Sequence, residues 1–170
     1  MKTYYLYIWV LALVFVGCNS TRQLQKRQIQ QVYDRLGLQK EHNDNFALYN
    51  EAASWLHVRH LNGGLSPNGI DCSGLVYVIY KNVYGRKIER NSADILKKNC
   101  RTISKSRLRE GDLVFFNSGS SRKTKKNINH VGIYLKDHKF LHTSTSRGVM
   151  ISDMEEDFFR KSLVCCGRVK

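Results

Sequence analysis

"NGIDCSGLVYVIY", residues 68–80, decides how the rest of the chain is read. Asn68-Gly69 signals a turn. Beyond it Leu75, Val76, Ile79 and Tyr80 recur at the three- and four-residue steps of a helix that buries one stripe. The pattern predicts a helix from about Cys72 to Tyr84 with Cys72 in its first turn. A thiol there sits beside unpaired backbone N–H groups and the positive end of the helix dipole, and both favour thiolate. The same N–H groups can stabilise an oxyanion forming on an attacked carbonyl. Asp71 and Ser73 flank the cysteine and are candidates to support it, while Gly74 leaves room for a backbone to approach. Cys72 is then a nucleophile, a metal ligand, or merely the first buried residue of an apolar stripe.

Upstream, Phe46, Leu48, Tyr49, Ala52, Ala53, Leu56 and His60 predict a helix from Asn45 to His60, stopped by the turn-rich "LNGGLSPNG". Downstream, a shorter helix is expected from Ser92 to Asn99, with Ser92 as N-cap and Asp94 in the first turn. The period then changes. "DLVFF" at 112–116, "HVGIYL" at 130–135, "KFLHTS" at 139–144, "GVMIS" at 148–152 and "LVCCGRV" at 163–169 make about five strands. Helices first and a mainly antiparallel sheet second give an α+β domain.

A thiolate mechanism needs an imidazole to accept and return a proton, and that imidazole is usually oriented by a third polar group. If the turn between the second and third strands centres near Asp137, Leu135 faces Lys139 and Gly132 faces His142. His130 and His142 are then diagonal neighbours on one face. Cys72, His130 and His142 can form a run of nucleophile, base and orienting group. The same three residues could instead hold zinc with an open position, although no general base is then assigned.

Taken together, "GIDCSGLVY", "LREGDLVFF", "NHVGIYL" and "FLHTS" resemble the NlpC/P60 family of papain-like cysteine peptidases, over roughly residues 48–169. The resemblance implies a papain-like fold, N-terminal helices packed on the sheet. It implies Cys72 as nucleophile, His130 as base and His142 as the residue that orients it. The implied reaction is hydrolysis of amide bonds in peptidoglycan stem peptides, either the D-glutamyl to diamino acid bond or the D-alanyl to diamino acid cross-link. It calls for no metal or other cofactor. Arg90 and Ser92 fall in an element that in the family lies beside the substrate groove. One stretch departs from the family pattern Trp-Leu-Gly-Thr-Pro-Tyr-x-x-Gly-Gly: "WLHVRHLNGG" places His57, Val58 and Arg59 at the Gly-Thr-Pro positions and His60 at the tyrosine. A His60 N–H can donate the hydrogen bond of the missing hydroxyl, alter substrate choice, or act as a second base. Arg59 is read as solvated or paired with a carboxylate.

The 170 residues, 42% of them apolar, suit one ordinary core. The net charge of +14 favours polyanionic surroundings. After Lys2 an apolar run from Tyr4 to Val16 has the length of an export signal, and "LVFVGCNS" resembles a lipoprotein processing site with Cys18 as the lipidated residue. Residues 1–18 are therefore expected to be a signal, 19–44 a polar basic tether passing into a marginal helix, and 45–170 the catalytic domain. Arg22, Lys26 and Arg27 would lie close to lipid. Export puts the protein in the bacterial envelope, anchored to a membrane through its N-terminal lipid, on the outer-membrane or periplasmic side in a Gram-negative cell. That makes nucleic acid a poor partner; a monomer is expected. Arg122, Lys123, Lys125 and Lys126 belong to a polar surface loop before His130, where they either raise the local concentration of anionic substrate or are simply solvated. Outside the reducing cytoplasm a disulfide from Cys165 or Cys166 to Cys100 is open, with the other of the adjacent pair in the core. Two other functions are open as well: a hydrolase or acyltransferase acting on a non-peptidoglycan amide or ester, and a non-catalytic envelope-binding lipoprotein.

Overall fold

The computed structural model describes residues 21–118 and 127–170. The expected signal with Cys18, and loop residues Arg122, Lys123, Lys125 and Lys126, lie outside them. The chain divides after His42 into two units. The first holds one described helix, α1, over residues 21–36, and so Arg22, Lys26 and Arg27 are helical. It closes where the Gly37 N–H donates to Asp34 O at 3.1 Å and the Leu38 N–H to Tyr33 O at 3.0 Å.

The second unit starts with α2 (Phe46–Trp55), whose N-cap Asn45 accepts from the Leu48 N–H through its side chain. The Asn45 N–H in turn donates to the Glu110 carboxylate at 2.9 Å. This helix stops well short of the expected His60. His57 takes φ 69, and residues 57 and 58 turn to the sheet's last strand: the His57 N–H donates to Val149 O, and the Val149 N–H to Val58 O, each at 2.8 Å. Gly148 permits this approach, since a Cβ there would meet Val58 O at 2.4 Å. Helical spacing in "SWLHVRH" is thus overridden by backbone pairing that covers a sheet edge.

A small hairpin follows, β1 (Leu65–Ser66) and β2 (Gly69–Ile70), in the register Leu65↔Ile70. Arg59 Nε donates to Asn68 O at 2.6 Å and closes the hairpin against the preceding segment, so Arg59 partners a carbonyl rather than a carboxylate. Next comes α3 (Cys72–Tyr84), ended by a left-handed Gly85 whose N–H donates to Tyr80 O. Leu75, Val76 and Ile79 are fully buried; each contributes at most about 1.5–3 kcal/mol by leaving water. The expected helix over 92–99 is a single turn, α4 (Ser92–Asp94), running into a one-turn π segment (Ile95–Asn99). Its cap is Asn91, whose side chain accepts from the Ala93 and Asp94 N–H groups. Ser92 lies inside the turn.

Among the described residues the main sheet has six antiparallel strands, one more than the five expected, in the order β3-β8-β4-β5-β6-β7. They are β3 (Cys100–Ile103), β4 (Leu113–Phe116), β5 (His130–Tyr134), β6 (Lys139–Ser144), β7 (Gly148–Asp153) and β8 (Leu163–Val169). A short helix, α5 (Asp157–Ser162), precedes β8. Both faces are covered: α3 packs on β5 and β6, and Phe159 of α5 joins Val114, Phe116, Phe140, Met154 and Cys166 in an aromatic-rich cluster. Tyr80 ties α3 to the strand region by donating to Gly111 O at 2.5 Å. Asp112, 3% exposed, takes a two-point grip from Arg168, both contacts at 2.7 Å. Among the described residues Cys72, Cys100, Cys165 and Cys166 are free thiols, with Cys166 in the core.

Candidate active site

The connection between β5 and β6 is the three residues Lys136, Asp137 and His138, with Asp137 at φ 50 and His138 at φ 62 in the left-handed region and the Lys139 N–H donating to Lys136 O at 2.7 Å. The Leu135 N–H donates to Lys139 O, and Tyr134 sits opposite Phe140. This is the register that puts His130 and His142 on one face. The ladder ends at Ile133↔Leu141. Toward the histidine end β5 pairs only with β4, where Phe116 faces His130. At this splay the Val131 N–H turns to the sulfur of Cys72.

Asp71 builds the start of α3. Its Oδ1 accepts from the Gly74 N–H at 2.6 Å and lies 2.9 Å from Ser73 Oγ, while its Oδ2 accepts from the Gly63 N–H at 2.7 Å. Arg90 reaches the same Oδ2 at 3.4 Å and lies 5.8 Å over the Tyr77 ring. Ser73 Oγ also approaches Arg90 O at 2.7 Å. Gly74 is needed here, because a Cβ would meet Gly64 O at 2.5 Å and Arg90 Nη1 at 2.7 Å. Arg90 therefore faces the cap, and Ser92, 7% exposed, turns its hydroxyl to the cysteine sulfur.

Burial pushes the Cys72 thiol up, and the Asp71 charge adds to that; the Val131 and Ser73 N–H groups and the Ser92 hydroxyl pull the other way without prevailing. The helix start alone thus does not make a resting thiolate. His130 is held down at about 4 by burial and by His60 nearby. His142 is held at about 3 by burial, then by His130 and Arg147. The group rests at neutral pH as a thiol and two neutral imidazoles, each able to accept one proton.

His130 Nε2 lies 2.9 Å from His142 Nδ1, with the rings perpendicular. His142 Nε2 lies 3.0 Å from Ser152 Oγ. Around them Phe140 stacks on His142 at 4.9 Å and Phe159 meets it edge-on at 5.2 Å. With Nε2 turned to His142, Nδ1 is the other ring nitrogen of His130. The structure thus brings His130, His142 and Ser152 together in one run, and sets Cys72 beside Ser92 and beside Val131, the residue that follows His130. It places Asp71, Ser73 and Arg90 behind the cysteine as its scaffold. His60, bridged to Ile70 in parallel sense, lies beside His130. Sequence reasoning passed over Ser152 and the Val131 N–H. Ser152 had one available signal, its place on the strand after His142 with the same parity. Among the described residues no cluster of three or more His, Cys, Asp or Glu side chains could hold a metal ion.

Compared with known proteins, residues 57–168 match the NlpC/P60 family. The Murein DD-endopeptidase MepS/Murein LD-carboxypeptidase of Escherichia coli (strain K12) is 38% identical over 114 residues, covering 67% of this chain and 57% of that protein. A probable endopeptidase NlpC homolog of Haemophilus influenzae is 36% identical over 123 residues, 72% of this chain and 60% of that protein. The crystal structure of an NlpC/P60 family protein from Bacillus cereus superposes with a TM-score of 0.65 at 26% identity, covering 75% of this chain and 41% of that one. The chain spans somewhat over half the length of these curated relatives.

Proposed function

The chain belongs to the NlpC/P60 family, and from that premise we propose that it is a cysteine peptidase hydrolysing amide bonds in peptidoglycan stem peptides. The observation that carries this reading is the 2.9 Å bond between His130 Nε2 and His142 Nδ1, which leaves Nδ1 of His130 for Cys72 at the splayed end of β5. Cys72 is the nucleophile, His130 the base and then the acid, and His142 the group that orients it. Sγ attacks the carbonyl carbon as His130 Nδ1 takes the thiol proton, so a C–S bond forms and the carbonyl electrons move to oxygen. First-turn amides of α3 and the His60 ring N–H are the donors offered to that oxyanion. Collapse breaks the C–N bond while His130 returns its proton to the leaving amine. Water, deprotonated at His130, then hydrolyses the thioester and restores the thiol.

The name of the E. coli relative, a murein DD-endopeptidase, favours the D-alanyl to diamino acid cross-link over the D-glutamyl to diamino acid bond. The work is placed at the cell envelope, with Cys18 lipidated and the chain held to a membrane by that lipid. Ser92 borders the groove through its hydroxyl at the sulfur, while Arg90 braces the Asp71 cap behind it. The test is mass spectrometry of soluble products from purified peptidoglycan incubated with the full chain or its Cys72→Ala variant. A defined peptide-bond product lost in the variant supports the reading and names the bond. No product across several wall chemistries, with the chain folded and Cys72 reduced, overturns it in favour of another acyl substrate or a binding role.

A further inference from the structure

We propose that Ser152 is a positioning residue of this site: by accepting the Nε2–H of His142 it holds the one tautomer of His142 that lets His130 act as a base. The proposal rests on reading Cys72 and His130 as the nucleophile–base pair. Ser152 is 4% exposed and His142 also 4%, so their 3.0 Å contact is shielded from water. The flanks of the His142 ring are aromatic, Phe140 on one side and Phe159 on another. Its described polar partners are His130 at Nδ1 and Ser152 at Nε2.

A neutral imidazole has one donor and one acceptor nitrogen. When His130 takes the thiol proton both its nitrogens carry hydrogen, and its Nε2–H then needs a lone pair on His142 Nδ1. Only the Nε2–H tautomer of His142 offers one, and that hydrogen must go to Ser152 Oγ. In the opposite tautomer the Nδ1–H of His142 donates to His130 Nε2. The proton of His130 is then driven to Nδ1, facing the sulfur, and the imidazole cannot accept the thiol proton. A serine hydroxyl can accept in the productive state, whereas a methyl group cannot. Removing it leaves a buried N–H without a partner, and the ring escapes that cost by adopting the unproductive tautomer. The charged and titratable groups facing the run are Asp71 toward Cys72, His60 toward His130 and Arg147 toward His142. None of them supplies an acceptor to His142 Nε2.

The test uses the purified full chain labelled with 15N-histidine, read by long-range proton–nitrogen NMR near pH 7 without substrate. The expected result is a His142 protonated at Nε2 in the wild type and at Nδ1 in Ser152→Ala, with Ser152→Thr keeping the wild-type pattern. With a cross-linked muropeptide, Ser152→Ala is expected to lose about 10- to 100-fold in kcat with KM within about twofold. Alkylation of Cys72 slows in parallel. A wild-type His142 protonated at Nδ1 overturns the proposal and needs no variant to fold. Full kcat in a Ser152→Ala chain whose tautomer has shifted also overturns it. Because the tautomer is read without substrate, a chain that cuts no stem peptide but shows the Nε2–H pattern overturns the proposed activity and leaves the role of Ser152 standing.

Discussion

Acid should loosen this fold before its carboxylates titrate, because two imidazoles are buried in their neutral form. The ordinary histidine value is 6.5, and the folded chain holds His130 at about 4 and His142 at about 3. Between pH 6.5 and 5 the unfolded chain therefore binds a proton at each ring that the folded chain does not. Stability rises with pH wherever the unfolded state binds more protons, so it falls as acid is added. The contribution is complete above pH 6.5 and is lost progressively toward pH 4 and 3. One pH unit is worth about 1.4 kcal/mol per group, so the step from 6.5 to 5 costs roughly 2 kcal/mol per ring. Discounting the partly exposed His130, the pair loses on the order of 3 kcal/mol. At about 3 °C per kcal/mol for a chain of this size, Tm drops by roughly 10 °C. Thermal unfolding followed by circular dichroism at pH 7, 6 and 5 reads this directly, with His142→Gln as the reference whose pH slope is about half. Equal Tm at pH 7 and 5, or an unchanged slope in His142→Gln, refutes the burial argument.

Four further outcomes follow from other parts of the structure. Gly74→Ala puts a Cβ 2.5 Å from Gly64 O, in a segment that cannot yield cheaply; stability in urea should fall by about 1–3 kcal/mol or more, and turnover should fall with it. Tyr80→Phe strands the buried Gly111 carbonyl now 2.5 Å from the hydroxyl, a loss of about 1–3 kcal/mol by the same assay. Cys72 rests as a thiol, its value raised by burial, so iodoacetamide labelling located by peptide mapping should be slow at neutral pH and climb through alkaline pH; a flat, fast rate from pH 5 to 8 would instead mean a standing ion pair. Cys18→Ala should reduce wall hydrolysis in cells while leaving the purified enzyme unchanged, and equal cellular activity from a fully soluble protein contradicts the role of the lipid.

The site was legible where local chemistry and periodicity agreed. The stripe of Leu75, Val76, Ile79 and Tyr80 marks α3 because nothing in tertiary structure competes with it. Lys136-Asp137-His138 sets the β5–β6 register because a three-residue connection leaves little choice. Other parts depend on partners distant in sequence. Residues 57–60 carry a helical pattern, yet 57 and 58 serve the edge of β7 while Arg59 and His60 pair with β2, the first of these invisible until Gly148 is placed against Val58. The polar "CRTI" of β3 is a strand only because β8 lies beside it. Ser92 reads as a cap from its neighbours, but Asn91 takes that task and frees the hydroxyl for the cysteine. The resting state of Cys72 follows from burial, which outweighs the helix end and has no signature in the local sequence. Ser152 looks like an ordinary strand-end serine until His142 is stacked under Phe140 and turned toward it.

The most direct measurement is the rate at which the full chain cleaves a defined cross-linked muropeptide dimer, set beside Cys72→Ala and His130→Gln, all checked for folding. A single peptide-bond product from the wild type, with each variant slower by about a thousandfold or more, is the result expected if sulfur attack and proton transfer at His130 carry the reaction. Cleavage by Cys72→Ala within about tenfold of the wild type contradicts the account, because no group other than its sulfur is assigned to attack the carbonyl.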